Sequence, residues 1–383
     1  MNPTPAPISV NQGDRTQRRV SLALQGGGSH GAFTWGVLDA LLADGRVTFD
    51  GISGTSAGAM NAVALAHGFA TAQGHPKSDA REAARASLAA FWKGVVELGE
   101  VSSSISKAQR APFDILFGGL GSLGSLGGSA DGESPGRLFT DAMTSFWTSA
   151  VSPYQSNPLD INPLKDFLEA KIDFERLAAF NAIKVFVVAT AVTTGKAEVF
   201  HGKRLTAKAV MASACLPTVF RAVEIEGNHY WDGGYAGNPA FHPLIYNCDS
   251  RDVLLVQINP IKRDKLPTTA AEIMDRVNEI TFNATLIAEM RAIAFVKRLL
   301  ADGKLDPKRY KDVLMHRIDG GEVLEAFHAS TKSALDAKLV HTLHDLGVSC
   351  ARQWLGKHFH QLGVAASVNI ARDYLDDLRV PAR

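Results

Sequence analysis

The N-terminal part of the chain alternates between two hydrophobic patterns. A short apolar run at Arg19–Leu24 predicts a strand, and "FDGISG" predicts a second strand after it. Between them, side chains recur at helical spacing and Gly45 provides a C-terminal stop; they are Thr34, Val37, Leu38, Leu41 and Leu42. "AGAMNAVALAHG" predicts a second helix of small residues. Strand, helix, strand and helix in this order predict parallel strands joined by right-handed crossovers.

Further along, three apolar runs predict strands, at Ile183–Val192, Val253–Pro260 and Val313–Ile318. The first run is continuously apolar, which is typical of a central strand covered on both faces. "VEIEGNHYW" predicts a hairpin that turns at Gly227 and Asn228. The predicted fold class is therefore α/β, with a mainly parallel central sheet.

A long amphipathic helix is predicted to begin with a capping box formed by Thr269 and Glu272. Its side chains at helical spacing predict one core-facing stripe, made of Ile273, Val277, Ile280, Ala284, Ile287 and Ala294. From Glu322 onward the pattern is helical again, so residues 321–383 are predicted to form a helical C-terminal extension.

Composition divides the rest of the chain. Residues 1–18, rich in proline and polar side chains, predict a disordered arm, and residues 19–320 predict one main domain. Within that domain, residues 117–136 repeat Gly-Ser-Leu, which favours either a floppy surface loop or a mobile cover over an apolar site.

Charge and cysteine usage exclude some partners. The chain has 40 basic and 39 acidic residues among 383, so no broad electrostatic footprint for nucleic acid is expected. Cys215, Cys248 and Cys350 form no C-x-x-C pair, which favours a reducing compartment and no zinc site. With no signal peptide and no apolar run of about 18 residues, we expect a cytoplasmic protein. Peripheral contact with a membrane surface stays open, and a homodimer cannot be read from the sequence.

The triple glycine after the first strand has two competing interpretations. Gly26-x-Gly28-x-x-Gly31 matches a dinucleotide-binding fingerprint, and Asp50 lies about where an acidic ribose ligand would be expected. The continuation of the chain argues against a nucleotide site, because the strand runs through Asp50 directly into a second motif.

That second motif is Gly54-x-Ser56-x-Gly58, which between a strand and a helix predicts a nucleophile elbow. The turn is tight, so bulky side chains two before and two after the serine would clash. The elbow would present the Ser56 hydroxyl above the sheet edge, at the N-terminus of the following helix.

A serine nucleophile explains the triple glycine. Attack on an ester carbonyl creates an oxyanion, and backbone N–H groups that point at one position stabilise it. Gly26, Gly27 and Gly28 are therefore the candidate oxyanion hole, assisted by the positive end of the helix that begins near Gly31.

The nucleophile also needs a base, and Asp232-Gly233-Gly234 offers one. Alone, Asp-Gly-Gly is an ordinary turn. With the glycine loop and the elbow in this order, the chain resembles the patatin-like phospholipases over about residues 19–260. "ASACLPTVF" before the aspartate and Asn238-Pro239 after it strengthen the resemblance.

The resemblance implies a three-layer α/β/α fold and hydrolysis of lipid esters without a metal or other cofactor. It implies a catalytic dyad in which Ser56 accepts the acyl group and Asp232 takes its proton, then activates water. Residues 152–168 resemble a segment of one bacterial branch that also has a helical C-terminal extension. They are either an access loop near the active site or scaffold.

One position departs from the family pattern. His30 stands where patatin-like proteins usually carry arginine or lysine, just before the last glycine of the first motif. It either orders the loop by hydrogen bonding or contacts substrate. The loss of a permanent charge puts phospholipid head-group preference in doubt. Esterase activity on short hydroxyacyl oligomers or lysophospholipids therefore stays open, as does a catalytically silent lipid-binding protein.

The remaining histidines permit two other hypotheses. His242 could complete a conventional triad with Ser56 and Asp232, whereas His229 is expected to be a surface residue. The pairs His341 with His344 and His358 with His360 have metal-like spacing but lack a third ligand, which favours a solvated helix face.

Overall fold

The structure is a computed structural model that describes residues 17–73, 79–104, 152–156, 162–217, 220–325, 327 and 336–375. The loop predicted at 117–136 and nearly all of the arm predicted at 1–18 lie outside the described residues. Arg18 already belongs to the first strand, which therefore begins one residue earlier than predicted.

One mixed sheet holds all the strands of the described residues. In chain order the strands are β1 (Arg18–Leu24), β2 (Val47–Gly54), β3 (Lys184–Ala191), β4 (Ala197–Phe200), β5 (Val223–Ile225), β6 (Asn228–Asp232), β7 (Asp252–Gln257) and β8 (Leu314–Asp319). They lie in the order β5-β6-β3-β2-β1-β7-β8, and β4 pairs with β3. The pairs among β3, β2, β1, β7 and β8 are parallel, which confirms the predicted α/β class. The hairpin of β5 and β6 turns at Glu226 and Gly227, one residue before the predicted position.

Helices cover both faces of this sheet. They are α1 (Gly31–Asp44), α2 (Ala57–Ala72), α3 (Ala80–Ser104), α4 (Pro153–Ser156), α5 (Pro163–Lys171), α6 (Phe174–Ala179), α7 (Ala207–Ser213), α8 (His242–Asn247), α9 (Ala270–Ala301), α10 (Gly321–Glu325), α11 (Ala337–His358) and α12 (Ile370–Tyr374). Side chains of α1, α2, α3 and α11 share one buried cluster, and those of α8, α9 and α12 share a second one. The result is a three-layer α/β/α arrangement.

The C-terminal extension packs directly on the first helix of the domain. Helices α11 and α1 approach so closely at Gly36 and Gly347 that a Cβ atom at either glycine would collide with backbone of the other helix. His344 of α11 also lies 3.7 Å from Asp39 of α1. The predicted helical extension is therefore part of the layer that carries α1.

Helix α9 confirms one prediction and corrects another. Its capping box of Thr269 and Glu272 is present. The predicted core stripe, however, is wrong over its first half, because Ile273, Val277, Ile280 and Ala284 are exposed. The buried face instead contains Glu279, Asn283, Leu286, Met290 and Ile293.

The physical reason is that the buried polar side chains of α9 have partners in the protein. The Glu279 carboxylate, 2% exposed, pairs with Arg263 at 2.6 Å and with Arg276 at 3.1 Å. The amide of Asn283 donates to the Pro260 carbonyl oxygen. Once these groups are satisfied, the helix is fixed with its polar face inward, an outcome that hydrophobic periodicity alone does not predict.

Candidate active site

The glycine loop connects β1 to α1 at the carboxyl edge of the sheet. Gly28 has a φ of 59°, a left-handed conformation that favours glycine. At Gly26 a Cβ atom would lie 2.8 Å from the Cβ of Ser56 and 2.8 Å from the Thr55 carbonyl oxygen. The loop can therefore run this close to Ser56 only because it lacks side chains.

Ser56 lies at the turn between β2 and α2. Its φ of 53° and ψ of −122° are unusual for a residue with a side chain, and such strain clusters at functional sites. A Cβ atom at Gly54 would lie 2.5 Å from the Gly58 carbonyl oxygen, and one at Gly58 would collide with the Leu24 carbonyl oxygen. The backbone thus has the crowded geometry of a nucleophile elbow, and Ser56 is half-buried.

The register of β3 explains how Asp232 reaches Ser56. Val187 pairs with Gly54 of β2 and with Phe200 of β4, so these two strands lie on opposite edges of β3. Ala189 pairs with β4 and with Asp232 of β6. Strand β2 ends at Gly54, and β6 pairs with the same edge of β3 beyond that point. Asp232, the last residue of β6, therefore lies beside the elbow.

Asp232 is buried, with 2% of its surface exposed. Burial raises the pKa of its carboxyl group to about 7, against the lowering effect of hydrogen bonds from the Gly234 N–H and the Ser56 hydroxyl. The Gly234 N–H donates to Oδ1 at 2.7 Å. The Ser56 hydroxyl is thus near enough to the carboxyl group of Asp232 to lower its pKa, while burial holds that pKa at about 7.

The three candidate oxyanion donors are not equivalent. The Gly26 N–H donates to the Oδ1 atom of Asn238 at 2.7 Å, so it is already engaged. Within the described part of the chain, the N–H groups of Gly27 and Gly28 have no hydrogen-bond partner. The oxyanion hole stays a prediction, and in the geometry of the described residues only the latter two amides are without a partner.

Several residues that hold the site were not identified from the sequence. The Ser213 hydroxyl accepts the Ser56 N–H at 2.9 Å, and the Thr55 hydroxyl donates to the Gly237 carbonyl oxygen at 2.6 Å. Both Ser213 and Asn238 lie in segments quoted for the family resemblance, but a motif gives them no role. Their function is set by contacts with residues far away in the chain.

A buried glutamine joins the glycine loop to the end of β7. The Oε1 atom of Gln25 accepts N–H groups of Ile258 and Asn259, each at 2.9 Å. Its amide donates to the carbonyl oxygen of Asn238 at 3.2 Å. This network holds the glycine loop in one conformation, so the N–H groups of Gly27 and Gly28 are preorganised.

The histidines occupy different surroundings. His30 is buried and lies edge-on to Phe327, with ring centroids 6.1 Å apart, which favours the loop-ordering interpretation. His242 is half-exposed, and its Nδ1 lies 3.9 Å from Glu289 rather than among the contacts of Asp232. His229 is exposed on β6. The geometry of the described residues therefore gives no support to a triad with His242.

Three further features concern a nucleotide site, a metal site and a membrane span. Asp50 accepts hydrogen bonds from the Ser21 hydroxyl and from the N–H groups of Asp249 and Ser250, so it braces the turn before β7. Among the described residues, no three His, Cys, Asp or Glu side chains are grouped as metal ligands. Nor does any described helix combine the length and apolarity required to cross a bilayer.

Comparisons with known proteins define the class. The family model of the patatin-like phospholipases matches residues 22–245, which is more than half of the chain. This protein therefore belongs to the patatin-like phospholipase family, and membership supports lipid ester hydrolysis in general.

Among solved structures, the chain is similar to VipD from Legionella pneumophila, with 16% identity and a TM-score of 0.39. That alignment covers 94% of this chain and 73% of VipD. No curated protein sequence matches the chain.

Proposed function

We propose that this protein is a serine acyl hydrolase of the lipase or phospholipase A type, with Ser56 as nucleophile and Asp232 as base. The observation that carries the proposal is the contact between a serine in a strained elbow and a buried carboxyl group. Backbone strain of this kind is unfavourable for folding, and it is found where it holds a reacting atom in position.

In the first half of the reaction, the Ser56 oxygen attacks the ester carbonyl carbon and Asp232 takes the hydroxyl proton. The tetrahedral intermediate then expels the alcohol, which receives that proton from Asp232, and an acyl-serine is left. In the second half, Asp232 takes a proton from water, and the resulting hydroxide attacks the acyl-serine. Collapse of the second intermediate releases the carboxylic acid and returns the proton to Ser56.

The pKa of Asp232 suits this role. A general base works best when its pKa lies near the working pH, and burial raises that of Asp232 to about 7. A carboxylate of ordinary pKa would be a weaker base towards a serine hydroxyl. The hydrogen bond from the Gly234 N–H orients the carboxyl group and leaves its second oxygen able to accept a proton.

The oxyanion is assigned to the N–H groups of Gly27 and Gly28, helped by the N-terminus of α1, which begins at Gly31. Preorganised donors of this kind typically lower the barrier by about 3 kcal/mol each. Gly26 acts indirectly, since its absent side chain lets the loop approach Ser56 and its own N–H anchors the loop to Asn238.

Lipid carboxylic esters are the proposed substrates. His30, which packs against Phe327, carries no permanent charge at a position where the family usually has arginine or lysine. This favours lysophospholipids or short hydroxyacyl esters as a second candidate. A silent lipid-binding role is less well supported, because binding alone requires neither the strained serine nor its contact with Asp232.

The first experiment is covalent labelling with a fluorophosphonate probe in detergent micelles, followed by peptide mapping. The probe needs no knowledge of the substrate and reacts only with an activated serine. We expect one adduct, on Ser56, and a much slower reaction in Asp232→Asn. A well-folded protein that gives no adduct, or gives one on another serine, would contradict the proposal.

A further inference from the structure

The first turns of α9 form an apolar surface beside the proposed active site. Ile273, Val277 and Ile280 are 44%, 48% and 54% exposed, and Ala284 continues the same stripe. We name these four residues the rim stripe. Isolated exposed apolar residues are normal, but large ones in a row on one helix face mark an interaction site.

The orientation of the stripe is enforced by the residues behind it. Glu279 and Asn283 are 2% and 3% exposed, and their contacts with Arg263, Arg276 and Gln25 hold the polar face of α9 inward. The polar network of α9 therefore fixes the apolar stripe outward.

The stripe extends beyond the carboxyl edge of the sheet. Asn283 hydrogen-bonds Gln25 and the Pro260 carbonyl oxygen, which follow the ends of β1 and β7. Lys297, further along α9, donates to the Val313 carbonyl oxygen at the opposite edge. The part of α9 before Asn283, roughly 20 Å of helix at 1.5 Å per residue, therefore continues beyond the carboxyl edge as an overhang. Within this overhang, Phe282 packs against the Tyr235 ring, 5.3 Å between centroids, directly after the Asp-Gly-Gly turn.

Charge indicates which kind of surface is complementary. The rim stripe has no charged side chain, and the exposed charges of the preceding loop and first helical turn are Lys262, Asp264, Lys265 and Glu272, which cancel. Lys262 and Asp264 lie 2.9 Å apart and pair with each other. Leu266, 84% exposed, adds a further apolar side chain to the same loop. An acidic or basic protein partner would find no complementary field here.

We propose that the rim stripe, with Leu266, inserts into the surface of a neutral, zwitterionic lipid layer and thereby brings the active site to its substrate. This inference rests on the proposed lipid hydrolase function and specifies how that function reaches the lipid phase. Binding by apolar insertion with balanced charges depends little on anionic lipid or on salt.

The test measures two quantities on the full chain, with the double variant Val277→Glu/Ile280→Glu. The first is the partition coefficient onto phosphatidylcholine vesicles, with and without phosphatidylglycerol, obtained by flotation. The second is turnover of a soluble short-chain p-nitrophenyl ester. Val364→Glu is the matched control, because Val364 is 71% exposed and follows Gly363, which contacts the first residue of β7 at the opposite edge.

We expect wild-type protein and Val364→Glu to bind both vesicle types similarly. The double variant should partition at least about tenfold more weakly, as loss of two inserted side chains implies, and should hydrolyse the soluble ester normally. Equal partitioning of the double variant and wild type would overturn the inference. The inference would also be overturned if the double variant bound vesicles normally but differed from wild type in its sedimentation coefficient. That result would identify a second copy of the chain as the occupant of the stripe.

The two proposals fail in different ways. If no form hydrolyses the soluble ester and no fluorophosphonate adduct appears, the hydrolase function fails while vesicle partitioning still tests the stripe. If the ester is hydrolysed and the stripe variant binds vesicles normally, only the docking inference fails.

Discussion

Ser56 and Ser367 each have a buried ionisable neighbour, but the backbone around them differs. Ser56 contacts the carboxyl group of Asp232 at the elbow. The hydroxyl of Ser367 lies 3.0 Å from Nδ1 of His316, whose Nε2 lies 2.9 Å from Asp252. Judged by side chains alone, the second cluster is the more complete one, since it contains serine, histidine and aspartate.

The backbone around the two clusters separates them. The Ser367 N–H donates to the Met315 carbonyl oxygen, and Ser367 has no positive φ. Both oxygens of Asp252 accept from the Gly363 N–H, at 2.9 and 3.0 Å. The cluster therefore ties β7 and β8 to the segment that follows α11. Because Asp252 begins β7, it also lies at the sheet edge opposite the glycine loop.

The comparison teaches that a chain of hydrogen bonds is not what makes a serine a nucleophile. Ser56 lies in a strained elbow, and the nearby amides of Gly27 and Gly28 have no hydrogen-bond partner among the described residues, whereas the cluster of Ser367 satisfies its own polar groups. Preorganised backbone donors act on charge that develops during reaction, and a satisfied internal network has none to offer.

The strongest way to break this comparison is to exchange the two serines for alanine separately. Ser56→Ala should lower ester turnover by at least about a thousandfold, as removal of a nucleophile generally does. Ser367→Ala should retain turnover within about twofold. Both purified variants are compared by circular dichroism and by steady-state hydrolysis of the same ester. Substantial activity in Ser56→Ala, or its loss in folded Ser367→Ala, would reverse our assignment.

A substitution in the second cluster should lower stability rather than turnover. His316 is fully buried and packs edge-on to Trp354, with ring centroids 5.9 Å apart. His316→Ala leaves Asp252 and Ser367 without their shared partner and creates a cavity. We expect the free energy of unfolding to fall by about 2–4 kcal/mol in denaturant titration. Turnover per folded molecule should be unchanged, and a selective loss of turnover would show that the second cluster takes part in catalysis.

The fold class and the tight turn at Ser56 could be predicted from the sequence because both depend on local rules. The elbow requires glycines two positions on either side of Ser56, and its steric cause is local. The parallel strands follow from short apolar runs that alternate with helical spacing. Asp232 could be identified only through the family resemblance. It comes near Ser56 because β6 replaces β2 as the neighbour of β3 beyond Gly54.

What the sequence missed depends on long-range polar contacts. The engagement of the Gly26 N–H by Asn238 spans more than 200 residues, and no local pattern indicates it. The inverted face of α9 has the same origin, because Arg263 and Arg276 neutralise Glu279 inside the protein. Hydrophobic periodicity assumes that charged side chains point outward, and it fails where ion pairs are buried.

The pH dependence sharpens the comparison further. Only ionised Asp232 can take a proton, and its pKa is raised to about 7 by burial. We therefore expect kcat/KM for a neutral ester to rise by nearly tenfold per pH unit below about pH 7 and then level off. A profile already flat from about pH 5 would contradict the assignment of Asp232 as the base.

The same raised pKa makes a prediction about stability. Between pH 3.8, the ordinary pKa of an aspartate, and about pH 7, folded protein holds a proton on Asp232 that unfolded protein releases. The contribution of this group to the free energy of unfolding therefore falls as pH rises through that window. Asp232→Asn lacks this titration, so its melting temperature relative to wild type should increase from about pH 4 to about pH 8. A constant difference across this range would show that the carboxyl group titrates normally.

The smallest expected effect concerns a residue that supports Ser56 without touching substrate. Ser213 is fully buried, and its hydroxyl accepts the Ser56 N–H at 2.9 Å. Ser213→Ala leaves that amide unpaired and loosens the elbow, so kcat should fall by about threefold to tenfold while KM changes little. Ser250→Ala serves as the control, since the Ser250 hydroxyl donates to the Arg19 carbonyl oxygen near the start of β1. Equal kinetics in the two variants would mean that the strained backbone of Ser56 holds its position without this hydrogen bond.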